Sequence, residues 1–112
     1  MPEGGSEAAA VAVFTALADP TRRSILDALA RTGPATVSDL AAVLPITRQA
    51  VAKHLAQLVD AGLLVAGDPD GRKVRYRVQP GPVRAALSWL SALANQWDDR
   101  LGALQAHLGG GD

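Results

Sequence analysis

The sequence has no cysteine, few aromatic residues and no long apolar run. Without cysteine, disulfides, thiolate metal ligands and cysteine nucleophiles are excluded. No run approaches the roughly 20 apolar residues that a membrane-spanning helix needs, and the first seven residues lack the basic and then apolar pattern of a secretory signal. We therefore expect a cytoplasmic protein with no membrane partner.

Motifs for catalysis and for metal binding are also missing. The chain has no nucleophile elbow and no phosphate-binding loop, and its glycine run at 109–111 does not stand between a strand and a helix. Its two histidines, His54 and His107, form no metal-binding pair. We predict no catalytic residues, no metal, no cofactor and no enzymatic activity.

The net charge of zero conceals an uneven distribution of charge along the chain. Residues 1–44 carry three basic and five acidic side chains, and residues 80–112 carry two and three. Residues 45–79 carry six basic side chains and three acidic ones. Because clustered cations attract a phosphate backbone, this middle segment is the candidate nucleic-acid-binding part of the chain.

The composition favours a mainly helical protein, since alanine and leucine dominate an apolar fraction of 48%. A length of 112 residues fits one domain with a modest core, near the size at which dimerisation commonly adds burial. We predict a folded domain over residues 7–108, a disordered N-terminus over 1–6 and a flexible tail over 109–112.

Capping residues divide this domain into helices. Apolar residues recur at helical spacing over 7–18, and Asp19 followed by Pro20 marks the start of a second helix. Thr36, with Asp39 three residues later, starts a short third helix with a capping box. With the two helices described below, the pattern predicts about five helices.

A fourth helix is bracketed by Thr47, a good N-cap residue, and Gly62, which stands where a left-handed C-terminal residue belongs. The apolar face, projected at about 100° per residue, consists of Val51, Leu55 and Leu58, and the opposite face of Gln49, Lys53 and Gln57. Glutamine and lysine between alanines suit contacts with bases and phosphates in the DNA major groove. Ordinary solvent exposure is the alternative explanation of these polar residues.

A basic hairpin is predicted directly after this helix. Residues 63–66 are apolar, residues 67–71 are turn formers, and charged and apolar residues alternate over 73–78. The alternation places Val74, Tyr76 and Val78 on the inner face. The cations left on the outside are Arg72, Lys73, Arg75 and Arg77. Two closely spaced helices followed by such a hairpin form a winged helix-turn-helix.

The run from Pro45 to Leu64, the basic hairpin after it and the upstream run 17–29 resemble the winged helix-turn-helix of the ArsR-like bacterial repressors. The resemblance extends over roughly residues 10–105. It implies a mainly α fold with a small β-hairpin and a transcriptional repressor that binds double-stranded DNA. Metal sensors of this family use cysteines on the third helix or paired Asp and His on the last helix. This chain has neither, and it resembles a branch without metal sites.

The same resemblance assigns DNA contacts to three groups of residues. In the recognition helix they are Thr47, Arg48, Gln49, Ala50, Lys53, His54 and Gln57. At the start of the preceding helix they are Thr36 and Ser38, and in the wing they are Arg72, Lys73, Arg75 and Arg77. Ala52 stands where the family usually has Ser or Thr, so that contact is not carried over.

A long last helix is predicted from Val83. Its apolar residues alternate spacings of three and four over about three and a half heptads, which is typical of a seam against another helix. We predict that this helix pairs with a second copy in a homodimer; packing on its own domain is the alternative. The predicted interface residues are Val13, Phe14, Leu17, Leu87, Leu90, Ala94, Trp97, Leu101 and Leu104.

These features predict a sequence-specific DNA-binding transcriptional regulator, a homodimeric repressor on an inverted-repeat operator. The alternative is a winged-helix protein–protein interaction module without sequence-specific DNA binding, although a docking hairpin needs no pattern of four cations. An unidentified small-molecule effector at the seam near Trp89 and Trp97 is considered as a further partner. Plain packing is the alternative explanation of the two tryptophans.

Overall fold

The computed structural model describes the backbone of residues 2–109 and the side chains of residues 7–108. Within this part of the chain the elements are α1 (Pro2–Ala18), α2 (Pro20–Thr32), α3 (Val37–Val43), α4 (Arg48–Asp60), β1 (Leu64–Ala66), β2 (Tyr76–Val78) and α5 (Gly81–Gly109). Five helices and an antiparallel hairpin confirm the predicted winged helix-turn-helix architecture. Helix α1 takes in residues 2–6, which the sequence placed outside the folded domain. Of the predicted termini, residues 1 and 110–112 lie outside the described residues.

Side-chain caps start α2 and α3, the two helices that precede the recognition helix α4. The Asp19 carboxylate accepts hydrogen bonds from the backbone N–H groups of Thr21 and Arg22, at 2.7 and 3.3 Å. At α3 the Thr36 hydroxyl accepts from the Asp39 N–H at 3.0 Å, and the Asp39 carboxylate accepts from the Thr36 N–H at 3.0 Å. This reciprocal pair is the capping box predicted from the sequence.

Helix α4 ends in a Schellman motif built on Gly62. The Gly62 N–H donates to the Val59 carbonyl and the Leu63 N–H to the Leu58 carbonyl, each at 2.9 Å. Gly62 has a φ of 80°, a left-handed conformation that a residue with a Cβ adopts only with strain. The predicted stop signal is confirmed, and it turns the chain directly into the hairpin.

The hydrophobic core lies between α1, α2, α3, α4 and the base of the hairpin, and Ala86 of α5 also belongs to it. All three residues of the predicted apolar face of α4 are fully buried. The largest fully buried side chains are Ile25, Leu40, Leu55, Leu58, Leu63, Val13 and Val51. Burial of one such side chain contributes about 1.5–3 kcal/mol to stability, so this core fixes α4 with its opposite face outward.

Helix α1 packs along the first half of α5 in the same chain. Ala86 of α5 is buried, and the rings of Phe14 and Trp89 lie 6.1 Å apart between centroids in a tilted arrangement. Val13 is only 1% exposed within the single chain and has no surface left for a second copy, so its prediction as a dimer-interface residue is wrong. It belongs to the core because the face of α1 that carries it is covered by the chain's own elements.

A backbone bridge that the sequence did not indicate joins the wing to the helix-turn-helix. The Ala35 N–H donates to the Tyr76 carbonyl at 3.1 Å, and the Tyr76 N–H donates to the Ala35 carbonyl at 2.8 Å. Tyr76 also pairs with Ala66 in the hairpin. The segment read as a plain break before α3 therefore extends the pairing of β2 by one residue pair.

Candidate nucleic-acid interface

The N-terminal half of α4 presents an exposed polar face. The Thr47 hydroxyl caps the helix by accepting from the Ala50 N–H at 3.1 Å. Arg48, Gln49 and Lys53 are exposed, and Ala50 beside them is half-buried. The small Ala50 side chain leaves the backbone accessible between the long ones, so this face suits close approach to a groove.

Two predicted contacts on α4 are placed differently. His54 is half-buried, and its buried Nδ1 has no hydrogen-bond partner within the described chain. The Gln57 Oε1 accepts a hydrogen bond of 2.8 Å from the Arg22 Nη1. The structure thus groups Arg48, Gln49 and Lys53 on the open face of the helix and engages Gln57 with α2.

The start of α3 contributes one exposed hydroxyl rather than two. Ser38 is exposed in the first turn of α3. Thr36 is buried at 9% exposure, and its hydroxyl is occupied as the N-cap acceptor for the Asp39 N–H. Of the two predicted contacts, only Ser38 offers a free hydroxyl at the surface, whereas Thr36 holds the helix start in place.

The wing shows the predicted alternation of inner and outer side chains. The half-buried residues are Val74, Tyr76 and Val78, and the exposed residues are Arg72, Lys73, Arg75 and Arg77. The hairpin tip is a tight turn in which Asp70 and Lys73 exchange backbone hydrogen bonds of 2.8 and 3.0 Å. Asp70 also pairs with Arg75 at 3.6 Å, an exposed ion pair that leaves three of the four wing cations unpaired within the described residues.

The wing and the start of α3 enclose a groove of about 370 Å³. Its walls are formed by Thr36, Val37, Ser38, Asp39, Arg72, Lys73, Val74, Arg75 and Tyr76. Hydrogen bonds from the Thr36 N–H and hydroxyl hold the pKa of Asp39 below its usual value, and the positive charges of Arg75 and Lys73 lower it further. This electrostatic influence places the cations of the wing beside the helix-turn-helix.

Other chemistry is not assembled in the described part of the chain. The described side chains of residues 7–108 include no group of three or more histidine, aspartate or glutamate residues that would hold a metal ion. Every helix within residues 2–109 is too short or too polar to span a bilayer. Neither observation adds a second candidate site to the polar face of α4 and the wing.

The predicted seam on α5 lies open to solvent. Leu87 is 61% exposed and Trp97 is 54% exposed, and the other large apolar residues of the seam are also exposed. These others are Val83, Leu90, Leu101, Leu104 and Leu108. The face that packs on α1 is a different one, which carries Ala86 and Trp89. Helix α5 is therefore covered by its own domain on one side only.

The arrangement is that of a winged helix-turn-helix DNA-binding protein. It consists of α3, a tight turn, α4 with its polar face outward, and a basic hairpin. Residues 17–65 match the family model of a helix-turn-helix domain. The chain is 47% identical over 73 residues to YuzN, an HTH-type transcriptional regulator of Bacillus subtilis, covering 60% of this chain and 75% of YuzN. It is 30% identical to the transcriptional repressor SdpR of the same organism, covering 80% of this chain and 97% of SdpR.

A solved structure extends the likeness to nearly the whole chain. The ArsR-like transcriptional regulator from Rhodococcus sp. RHA1 superposes with a TM-score of 0.82 at 39% identity, covering 90% of this chain and 93% of that one. The protein belongs to the ArsR family of transcriptional regulators, and it is a DNA-binding transcriptional regulator. Its relatives are named transcriptional regulators and repressors, and proteins of this class are usually not enzymes.

Proposed function

We propose that the protein acts in the cytoplasm as a homodimeric repressor that binds an inverted-repeat operator in double-stranded DNA. The observation that carries the proposal is the coincidence of the exposed polar face of α4 with the exposed cations of the wing. Both belong to the segment that holds the chain's excess of positive charge. SdpR, a similar protein, is named a repressor, which supports repression as the output.

Each exposed residue receives a role according to its chemistry. Gln49 pairs with the edge of an adenine, and Lys53 contacts a guanine or a phosphate, because both are exposed on the open face of α4 one turn apart. Arg48, one residue into the helix, lies toward the DNA backbone. Ser38 and the wing cations bind flanking phosphates, which position the helix but carry no sequence information.

The dimer is proposed to form through the exposed seam of α5. About three and a half heptads of apolar residues on a helix of 29 residues are unusual for a surface in contact with water. A second copy would bury them by the same pattern, because a two-fold interface is self-complementary. Phe14 and Leu17 are half-buried on α1, the helix that packs on α5 through Phe14 and Trp89, and they would border the interface.

Binding to DNA with systematic variation of salt tests the proposal. Neutralisation of roughly 6 to 8 phosphates per dimer predicts that the logarithm of affinity falls with the logarithm of salt at a slope of about −5 to −7. Fluorescence anisotropy with the DNA upstream of the protein's own reading frame, and with scrambled DNA of equal length, gives both the slope and the sequence preference. A slope near zero would contradict the mechanism.

Substitution of the base-reading residues separates specific from general binding. Gln49→Ala with Lys53→Ala should remove the preference for the upstream DNA, with a loss of about 1–3 kcal/mol per base contact, and leave the dimer intact. Arg84→Ala, which removes an exposed cation outside α4 and the wing, is the matched control and should retain the preference. A preference that survives in the double variant would assign base reading elsewhere and leave protein docking as the role of this helix.

A further inference from the structure

One guanidinium group stands where three helices meet. The Arg22 Nε donates to the Ala16 carbonyl at 2.9 Å, and the Arg22 Nη2 donates to the Thr15 carbonyl at 3.0 Å. These carbonyls belong to the last turn of α1 and have no helical partner of their own. Arg22 thereby caps α1 from the first turn of α2, and its side chain is only 13% exposed.

The same group reaches the recognition helix. The Arg22 Nη1 donates to the Gln57 Oε1 at 2.8 Å and lies 3.7 Å from the Asp19 carboxylate. Gln57 follows Gln49 and Lys53 at spacings of four residues, so the three lie along one face of α4. A fixed contact at Gln57 thus constrains the face that carries the proposed base-reading residues.

The other end of this linkage is the helix pair that carries the proposed dimer seam. Helix α1 packs on α5 through Phe14 and Trp89, so the carbonyls that Arg22 caps belong to the helix pair that a second copy would contact. The hydrogen bond from Arg22 to Gln57 is a direct polar link between this helix pair and α4. Because Gln57 is exposed, its side chain adds little to the core, and its contact with Arg22 is the feature that requires explanation.

We propose that the hydrogen bond from Arg22 to Gln57 is a positioning contact, which holds the recognition helix at a fixed orientation to the dimerisation helices. Gln57 acts through Arg22 and not by contacting DNA. The inference rests on the proposed function, because it assumes that α4 reads the operator. Arg22, which lies outside the predicted DNA interface, thereby controls operator affinity.

Two substitutions of Gln57 with opposite consequences test the proposal. Gln57→Glu keeps an oxygen acceptor for Arg22, so operator affinity should stay within about twofold of wild type. Gln57→Leu removes the acceptor at nearly constant size, and operator affinity should fall about three- to tenfold, the scale of the net contribution of one typical hydrogen bond. If Gln57 contacted DNA, the order would be reversed, because a carboxylate would face phosphates.

Further readouts separate positioning from general stability. Gln57→Leu should leave the affinity for scrambled DNA and the salt slope unchanged, because no phosphate contact is lost, and the protein should remain fully folded at the temperature of the binding assay. The loss should also be absent when Arg22→Met is the background, since the partner is then missing. Full additivity of the two substitutions would overturn the proposal, and the single Gln57 variants keep the test valid if Arg22→Met does not fold.

The outcome is distinguishable from failure of the proposed function. If Gln49→Ala with Lys53→Ala has no effect on sequence preference, the reading role of α4 is wrong. If that variant loses its preference while Gln57→Leu binds the operator like wild type, only the positioning role of the Arg22 contact is wrong.

Discussion

Single residues at the interface hold the structure in place and shape its charge at the same time. Asp39 accepts the Thr36 N–H in the capping box, and it lies within the electrostatic influence of Arg75 and Lys73. Its negative charge therefore stabilises the start of α3 and also offsets part of the positive charge of the groove. A phosphate that enters this groove meets a site that is already partly neutralised.

The lowered pKa of Asp39 makes the stability of the protein depend on acid. Its ordinary pKa is 3.8, and the folded state lowers it, so the ionised carboxylate favours folding. This contribution is fully present above pH 3.8 and is lost as the pH falls through the lower folded value. We expect Asp39→Asn to be less stable than wild type at neutral pH and the two to converge in acid.

Thermal or denaturant unfolding between about pH 2 and pH 7 measures this convergence. Asp99→Asn, at an exposed position on α5, is the control for the loss of one negative charge outside the capping box. A constant difference between Asp39→Asn and wild type over the whole range would show that the hydrogen bonds at Thr36 do not depend on the charge of the carboxylate.

Residue-level predictions from the sequence succeeded where a local rule decides and failed where a distant neighbour decides. The capping box at Thr36 depends on residues three apart, and the sequence contains that information. The projection of α4 placed Gln57 on the exposed face correctly, but its hydrogen-bond donor stands 35 residues earlier in the chain. Val13 was misassigned for a similar reason, since a helical period identifies a face but not what covers it.

Start and stop signals specify the recognition helix completely. Thr47 caps its first turn, three apolar residues fix its rotation, and Gly62 ends it. All of these signals were predicted from the sequence. The bridge between Ala35 and Tyr76 was not, because pairing of a single residue with a strand leaves no pattern of period two.

A pair of identical substitutions at two glycines tests the stop signal. Gly62→Ala should destabilise the protein by about 1 kcal/mol, because Gly62 has a φ of 80° and an added Cβ would lie 3.4 Å from Pro82. Gly102→Ala should instead stabilise α5 by about 0.5–1 kcal/mol through helix propensity, since an added Cβ there meets nothing within 4 Å.

Denaturant midpoints of the two variants provide the comparison. We expect the two midpoints to shift in opposite directions. Helix α4 of the Gly62 variant should also fray at its C-terminal end, which amide exchange at Leu63 reports. Equal effects at the two positions would show that the left-handed conformation at Gly62 is not needed to end α4.

The molecule buries the apolar residues of its core but leaves the apolar seam of α5 exposed. The helix-turn-helix and the wing surround a buried core, whereas α5 extends about 43 Å and leaves the seam exposed. The sequence predicted a seam on α5 that pairs with a second copy, with packing on its own domain as the alternative. The structure shows that the seam residues are exposed in the single chain and that a different face of the same helix packs on α1.

Charge placed in the seam should separate the proposed dimer into monomers. Leu90→Glu with Leu101→Glu would bury two carboxylates in an apolar interface, which disfavours association strongly. Sedimentation should give half the mass of the wild type, and operator binding should weaken because only one half-site is engaged at a time. The matched control is Ala92→Glu with Ala106→Glu, two exposed positions on the opposite face of α5.

An unchanged sedimentation profile for the seam variant would exclude α5 as the dimer interface. Dissociation of the control variant as well would show that added negative charge, and not its place on the helix, is responsible.

Tyr76 is paired on both sides, and this divides the wing into a base that is fixed to the domain and a tip that is not. Ala66 holds this residue on one side and Ala35 on the other, so the base of the hairpin is fixed to the rest of the domain. The tip lies beyond these two pairs and is closed at its base by the Gly67 N–H, which donates to the Arg75 carbonyl at 2.7 Å. We expect insertions or new cations between Asp68 and Arg72 to change the attraction to a duplex while the base of the hairpin stays paired, so the tip is the place at which binding strength can be adjusted.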